Sequence, residues 1–110
     1  MKVVEGLDFT YFDVDDTLVI WGSKSEDLLA FDNNGMIEML QPNWEVIKFL
    51  KETKRHGGTV VVWSQGGWDW AMEVVKTLNL EEYVDLCITK PHRYVDDLHS
   101  EKWMGTWRKV

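Results

Sequence analysis

A chain of 110 residues, 45% of them hydrophobic and 28% charged, fits one ordinary globular domain, so residues 1–110 are read as a single unit. No run reaches the roughly 18–20 apolar residues that would span a bilayer, and Glu5 interrupts the N-terminus too early for a signal peptide. Twelve basic against 19 acidic side chains give a formal charge of −7, which argues against a broad electrostatic grip on nucleic acid or anionic lipid.

In chain order, residues 7–12 alternate loosely and are rich in aromatic side chains, which predicts a first strand. Leu28-Leu29-Ala30-Phe31 and Met36-Ile37-Glu38-Met39-Leu40 flank the turn signal Asp32-Asn33-Asn34-Gly35, so a β-hairpin is expected within residues 18–41. Pro42-Asn43 opens a helix over about 43–55, with Trp44, Ile47 and Leu50 on the apolar face and Lys48, Lys51 and Arg55 on a solvated one. Gly57-Gly58 ends it. Thr59-Val60-Val61-Val62-Trp63 reads as a strand buried on both faces of a parallel sheet. After Ser64-Gln65-Gly66-Gly67, helical spacing of Trp68, Ala71, Met72, Val75 and Leu78 predicts a second helix. Asp85-Leu86-Cys87-Ile88-Thr89 and Arg93-Tyr94-Val95-Asp96 read as two further short strands, and a last helical turn or two is expected over 99–108. The single cysteine, Cys87, lies in an apolar segment and reads as a buried structural thiol in a reducing, cytoplasmic setting. The whole pattern is that of an α/β fold with a short, mainly parallel sheet.

Chemistry concentrates in Phe12-Asp13-Val14-Asp15-Asp16-Thr17-Leu18. Three carboxylates at the end of a strand repel one another, and such a group calls for a cation, a proton or a chemical purpose. The spacing Asp-x-Asp-x-Thr suits phosphoryl transfer: one carboxylate attacks, another shuttles a proton, and a metal offsets their charge. Right-handed crossovers gather the carboxyl ends of parallel strands on one edge, where open sheets bind ligands. Asp13 and Asp15 follow the first predicted strand, Ser64 the second and Lys90 the third, while Asp96-Asp97 close the fourth.

The order DVDDT (13–17), VVVWS (60–64), Lys90 and YVDD (94–97) resembles the four motifs of the haloacid dehalogenase superfamily of phosphohydrolases, over residues 7 to 97. The fold this implies is a single three-layer, Rossmann-like domain with a β-hairpin flap and no cap domain. The resemblance implies that Asp13 is the nucleophile and Asp15 the general acid and base. It implies that Ser64, Gln65, Gly66 and Lys90 hold the phosphate, with Gly67 adding an amide at the helix start. Mg²⁺ would lie between Asp13, the backbone carbonyl of Asp15 and the pair Asp96-Asp97, with Asp97 the preferred direct ligand and Asp96 the preferred partner of Lys90. Thr17 would brace the loop. Two departures stand out: many members of that superfamily carry a glycine where this chain has Asp16, and only 13 residues follow Asp97, so the fifth strand common in larger members is expected to be missing.

A calcium loop of the EF-hand kind is excluded, since its sixth and twelfth positions would be Leu18 and Lys24 rather than glycine and glutamate. A receiver-type phosphoacceptor needs its acidic pair early and its acceptor on a middle strand, an order this chain lacks. Trp63, Trp68, Trp103 and Trp107 are read as packing residues, Trp21 and Trp70 as candidates for substrate contact near the mouth. His56, His92 and His99 have no ligand spacing and are read as surface residues. Residues 18–41 suffice for a flap but not for a folded cap, so the site should be open. It would then take a large phosphorylated substrate or be closed by a second copy of the chain; a nucleotide, a nucleic-acid end (a 3′-phosphatase activity), a sugar phosphate and a phosphoprotein all remain as substrates. The competing reading is a non-catalytic relative that keeps the acidic site for binding.

Overall fold

The computed structural model describes residues 1–110 and orders them as β1 (Phe9–Asp13), β2 (Val19–Ile20), β3 (Leu29–Asn33), β4 (Met36–Pro42), α1 (Trp44–Arg55), β5 (Thr59–Ser64), α2 (Trp68–Thr77) and β6 (Leu86–Thr89). Short 3-10 turns occupy Glu81–Tyr83 and Ser100–Lys102. The strands form two three-stranded sheets, β1-β5-β6 and β2-β4-β3. The first is parallel throughout, with Phe9↔Thr59 to Asp13↔Trp63 in register and then Val61↔Leu86 to Ser64↔Thr89.

Strand alternation sorts the parallel sheet into two faces. Phe12, Val60 and Val62 join one buried cluster with Val46, Ile47 and Leu50 of α1 and Trp70, Ala71, Val74 and Val75 of α2. Both helices therefore cover the same face. The third layer expected from the sequence is not formed, because two right-handed crossovers stepping in the same direction, β1 to β5 to β6, place their helices on one side. The opposite face carries Tyr11 and Trp63, with ring centroids 4.6 Å apart, and Tyr11 remains exposed.

The hairpin forms where the turn signal predicts it. Asn34 and Gly35 both adopt positive φ (52° and 89°), the left-handed pair that a two-residue turn between twisted strands requires. Gly35 also donates its amide to Asp32 Oδ1 at 2.8 Å. Phe31 of β3 is the hairpin's anchor, fully buried with its ring edge-on to Trp70 at 6.3 Å.

Asn43 caps α1 through its side-chain oxygen, as Pro42-Asn43 suggests. Trp44 is not on the buried face. Its indole nitrogen donates to Asp27 Oδ2 at 2.9 Å, which draws the ring outward, and the buried stripe is Val46, Ile47 and Leu50. In α2 the stripe starts at Trp70 rather than Trp68, which stays exposed. Of seven tryptophans only Trp70 is buried, so the packing roles expected of Trp68, Trp103 and Trp107 do not hold, and Trp63 is only half-buried.

The predicted strand over Arg93–Asp96 is also absent, and of the helical turn or two expected over 99–108 only the 3-10 turn Ser100–Lys102 forms. The last ladder bond runs from the Lys90 amide to the Ser64 carbonyl at 2.9 Å. Pro91 then has no amide to donate. Beyond it the chain ties to itself: Tyr94 stands edge-on to Trp103 at 6.0 Å, its hydroxyl accepts from the Ser100 amide, and Val95 is fully exposed.

Asp85 links the layers at the far end of the sheet. Its Oδ1 lies 2.8 Å from Lys54 Nζ on α1, and its Oδ2 accepts the amide of buried Val60 at 2.8 Å. Burial pushes the pKa of this carboxyl up, but the Lys54 and Val60 donors outweigh it and hold the group below its ordinary value of 3.8. A depressed folded-state value means the carboxylate stabilises the fold above pH ~4 and loses that contribution as pH falls through the folded value. Asp85→Ala should cost about 1–2 kcal/mol at pH 7, since it orphans a buried amide as well as a part-exposed ion pair. Asp85→Asn, which keeps an acceptor for Val60, should cost less. Urea titrations at pH 7 and pH 3 check both, and the gap between wild type and Asp85→Asn should narrow at the lower pH.

Candidate active site at the carboxyl edge of the parallel sheet

Asp13 ends β1, Ser64 ends β5, and Lys90 directly follows β6, so strand direction alone brings these three to one edge. β5 lies between the other two. The Lys90 side chain crosses the end of β5, passes 5.6 Å from the centre of the Trp63 ring, and puts Nζ 3.6 Å from Asp13 Oδ1. The Asp13 side chain is 36% exposed, so its oxygens are within reach of a ligand. A loose, part-exposed pair of this kind stabilises the fold by about 0–1 kcal/mol, so its chief effect is to place positive charge beside the carboxylate.

Ser64 is fully buried, and its Oγ accepts the Gly66 amide at 3.0 Å. The Gly67 amide donates to the Ser64 carbonyl at 3.2 Å and the Trp68 amide to Thr89 Oγ1 at 3.0 Å. The anion cradle expected at the start of α2 is thus largely closed on itself. Gly66 and Gly67 do not offer free amides, because the tight turn folds the serine hydroxyl and carbonyl back onto them. Gln65 is exposed and its amide takes no protein partner. The Ser64 hydroxyl, occupied as an acceptor, keeps its own proton to donate. Gly67 has φ 112°, a backbone conformation that L side chains rarely adopt, so any side chain at the turn into α2 would be strained.

Asp15 sits in a loop closed by the Val14 carbonyl, which accepts the amides of Thr17, Leu18 and Val19 at 3.2, 2.9 and 3.2 Å. Asp16 adopts φ 58°. Aspartate tolerates this left-handed region better than most side chains, and here its Oδ1 also accepts the Trp21 amide at 3.2 Å. The expected brace from Thr17 comes from its amide, since its hydroxyl makes no hydrogen bond.

Two further groups reach Asp15. Trp21 Nε1 lies 2.7 Å, and Trp70 Nε1 3.1 Å, from the same oxygen, Oδ1. Sequence reasoning placed both tryptophans near the mouth but not as donors to this carboxylate. No spacing signal could have found a contact between Trp70 and a residue 55 positions away.

Asp96 and Asp97 stay exposed on the irregular segment after Lys90, where Asp96 Oδ1 accepts the Leu98 amide at 3.0 Å. Without the fourth strand nothing carries them to the edge, and Asp13 rather than Asp96 is the partner of Lys90. No three carboxylate, imidazole or thiol groups are placed so that they could together hold a metal ion. The donors left at the edge are hard oxygens on Asp13 and Asp15, a set suited to Mg²⁺, which commonly takes one or two carboxylates and completes its shell with water and substrate phosphate.

The edge itself is open. A cleft of about 210 Å³ lies between the hairpin tip and α2 and is lined by Asp32, Asn33, Asn34, Asp69, Trp70 and Glu73. Its three carboxylates would repel a phosphate. No helix is long and apolar enough to cross a membrane. Comparison with protein-family models, curated proteins and solved structures found no match to this chain.

Proposed function

We propose that this chain is a Mg²⁺-dependent phosphomonoesterase of the haloacid dehalogenase type, working through Asp13. The observation that carries the reading is the accessible Asp13 carboxylate at a strand end with the Lys90 ammonium 3.6 Å away and Ser64 on the neighbouring strand. A lysine so placed would offset charge on the entering phosphoryl group.

In the first step an Asp13 oxygen attacks phosphorus, the ester P–O bond breaks, and Asp15 gives a proton to the departing oxygen. In the second, water loses a proton to Asp15 and attacks the aspartyl-phosphate, releasing inorganic phosphate and restoring both carboxyl groups. The exposed Gln65 amide would donate to a phosphate oxygen, while Ser64, fully buried, would hold the turn that presents it. Mg²⁺, held by Asp13 and the Asp15 carbonyl, would supply further neutralisation of the phosphoryl charge. An open edge suits a bulky phosphorylated substrate, with nucleotides, nucleic-acid ends, sugar phosphates and phosphoproteins as the classes to compare. Burial pushes the Cys87 thiol up, with Lys76 offsetting part of the effect, and an unreactive thiol fits the cytoplasmic location we assign.

One observation favours the competing reading of a non-catalytic binding protein: Asp96 and Asp97 stand outside the site. A single assay separates the two. With millimolar Mg²⁺ and p-nitrophenyl phosphate the protein should release phosphate, and a chelator should stop it. Absence of turnover across aryl, nucleotide, oligonucleotide-end, sugar and peptide phosphates would leave the binding reading.

A further inference from the structure

We infer that Trp21 and Trp70 are positioning residues for Asp15, a two-indole clamp that reserves one carboxylate oxygen for proton transfer. The inference rests on the phosphatase reading above and deepens it. Both indole nitrogens donate to Oδ1, at 2.7 and 3.1 Å, and no protein group donates to Oδ2. An indole N–H is a donor only, and an oxygen that already accepts two such donors has no lone pair left for a proton. The proton that Asp15 delivers and later recovers is thereby confined to Oδ2, and rotation about the carboxyl bond, which would swap the two oxygens, breaks both hydrogen bonds.

The two jaws are anchored differently. Trp70, 5% exposed, is part of the core and is backed by Phe31 of the hairpin. Trp21, 38% exposed, lies just past β2, its ring 6.4 Å from that of Trp70 and its amide held by Asp16. The clamp therefore ties the catalytic loop, the hairpin and the first turn of α2 to one oxygen atom. The positioning of a general acid is what such a convergence can supply, since proton transfer depends on a heavy-atom approach of hydrogen-bond length.

The test uses leaving groups. An alkyl phosphate needs its departing oxygen protonated, whereas p-nitrophenolate leaves with little help, and kcat/KM reports only the steps up to that departure. Trp21→Phe, which keeps an aromatic ring at a half-exposed position, should lower kcat/KM for the alkyl ester about tenfold or more relative to the aryl ester, a fraction of the ~10²–10⁴-fold that general acid help can supply. Trp70→Phe should move the ratio in the same direction, with melting curves to confirm that both variants fold. In an Asp15→Asn background, Trp21→Phe should leave the ratio where it is. Equal losses on the two esters, or no loss, would overturn the clamp while leaving the phosphatase reading intact. If the wild-type protein turns over neither ester, the phosphatase reading falls and the catalytic role of the clamp falls with it.

Discussion

Asp13→Asn should abolish phosphate release, by about 10⁴-fold or more, on the scale of other single nucleophile losses. The amide keeps the shape of the side chain but is too weak a nucleophile to form the acyl-phosphate. The same change should barely alter stability. It removes a part-exposed contact at 3.6 Å, worth about 0–1 kcal/mol, and relieves the repulsion between neighbouring carboxylates. Activity and melting temperature are therefore expected to separate cleanly, and they should be measured on the same preparation. Equal rates from the two proteins would mean that the turnover belongs to a contaminant or to another nucleophile. A large drop in melting temperature would show that Asp13 holds the sheet edge together in a way its exposure does not suggest.

Phe31→Ala should be the most destabilising single change outside the parallel sheet, costing about 3–5 kcal/mol. Phe31 is fully buried on the hairpin, and its deletion leaves a ring-sized void against Trp70. Domains of this size have roughly 5–15 kcal/mol in total, so the variant should melt more than about 10 °C below wild type. Denaturant titration checks the magnitude, and an unchanged slope would confirm that the loss is one of packing rather than of two-state behaviour. The hairpin would be loosened first, because β3 is its only strand packed on α2 through a buried aromatic. Since Trp70 also donates to Asp15, the surviving folded fraction should turn over alkyl phosphates poorly. Phe31→Leu, which refills most of the volume, should recover most of both losses.

The two changes act on separate parts of the molecule. Asp13 lies on an accessible edge where chemistry is expected and stability is small. Phe31 lies in the core where stability is large and chemistry is reached only through Trp70 and Asp15. A double variant should therefore lose stability by about the Phe31→Ala amount alone, as sites without shared partners generally add.

Much of this architecture is written locally, and local rules are what a sequence carries. The aspartates at 13 and 15, Ser64 and Lys90 were legible as strand-end residues because β-branched and aromatic runs stop just before them. The hairpin turn was legible because an Asn-Gly pair takes two positive φ angles at low cost. The helix start at Asn43 was legible from its capping side chain. Other features depended on which partners the folded chain makes available. Whether Arg93–Asp96 pairs is decided by access to a free sheet edge after Pro91, not by its own β propensity. Helical spacing marks an apolar stripe but not its centre, so Trp70 rather than Trp68 became the buried indole. The sharing of one sheet face by both helices follows from the direction of successive crossovers. The convergence of Trp21 and Trp70 on one oxygen of Asp15 needs three segments in place at once. Propensity and capping act over a few residues, whereas these contacts exist only once the tertiary packing has brought distant segments within hydrogen-bond reach.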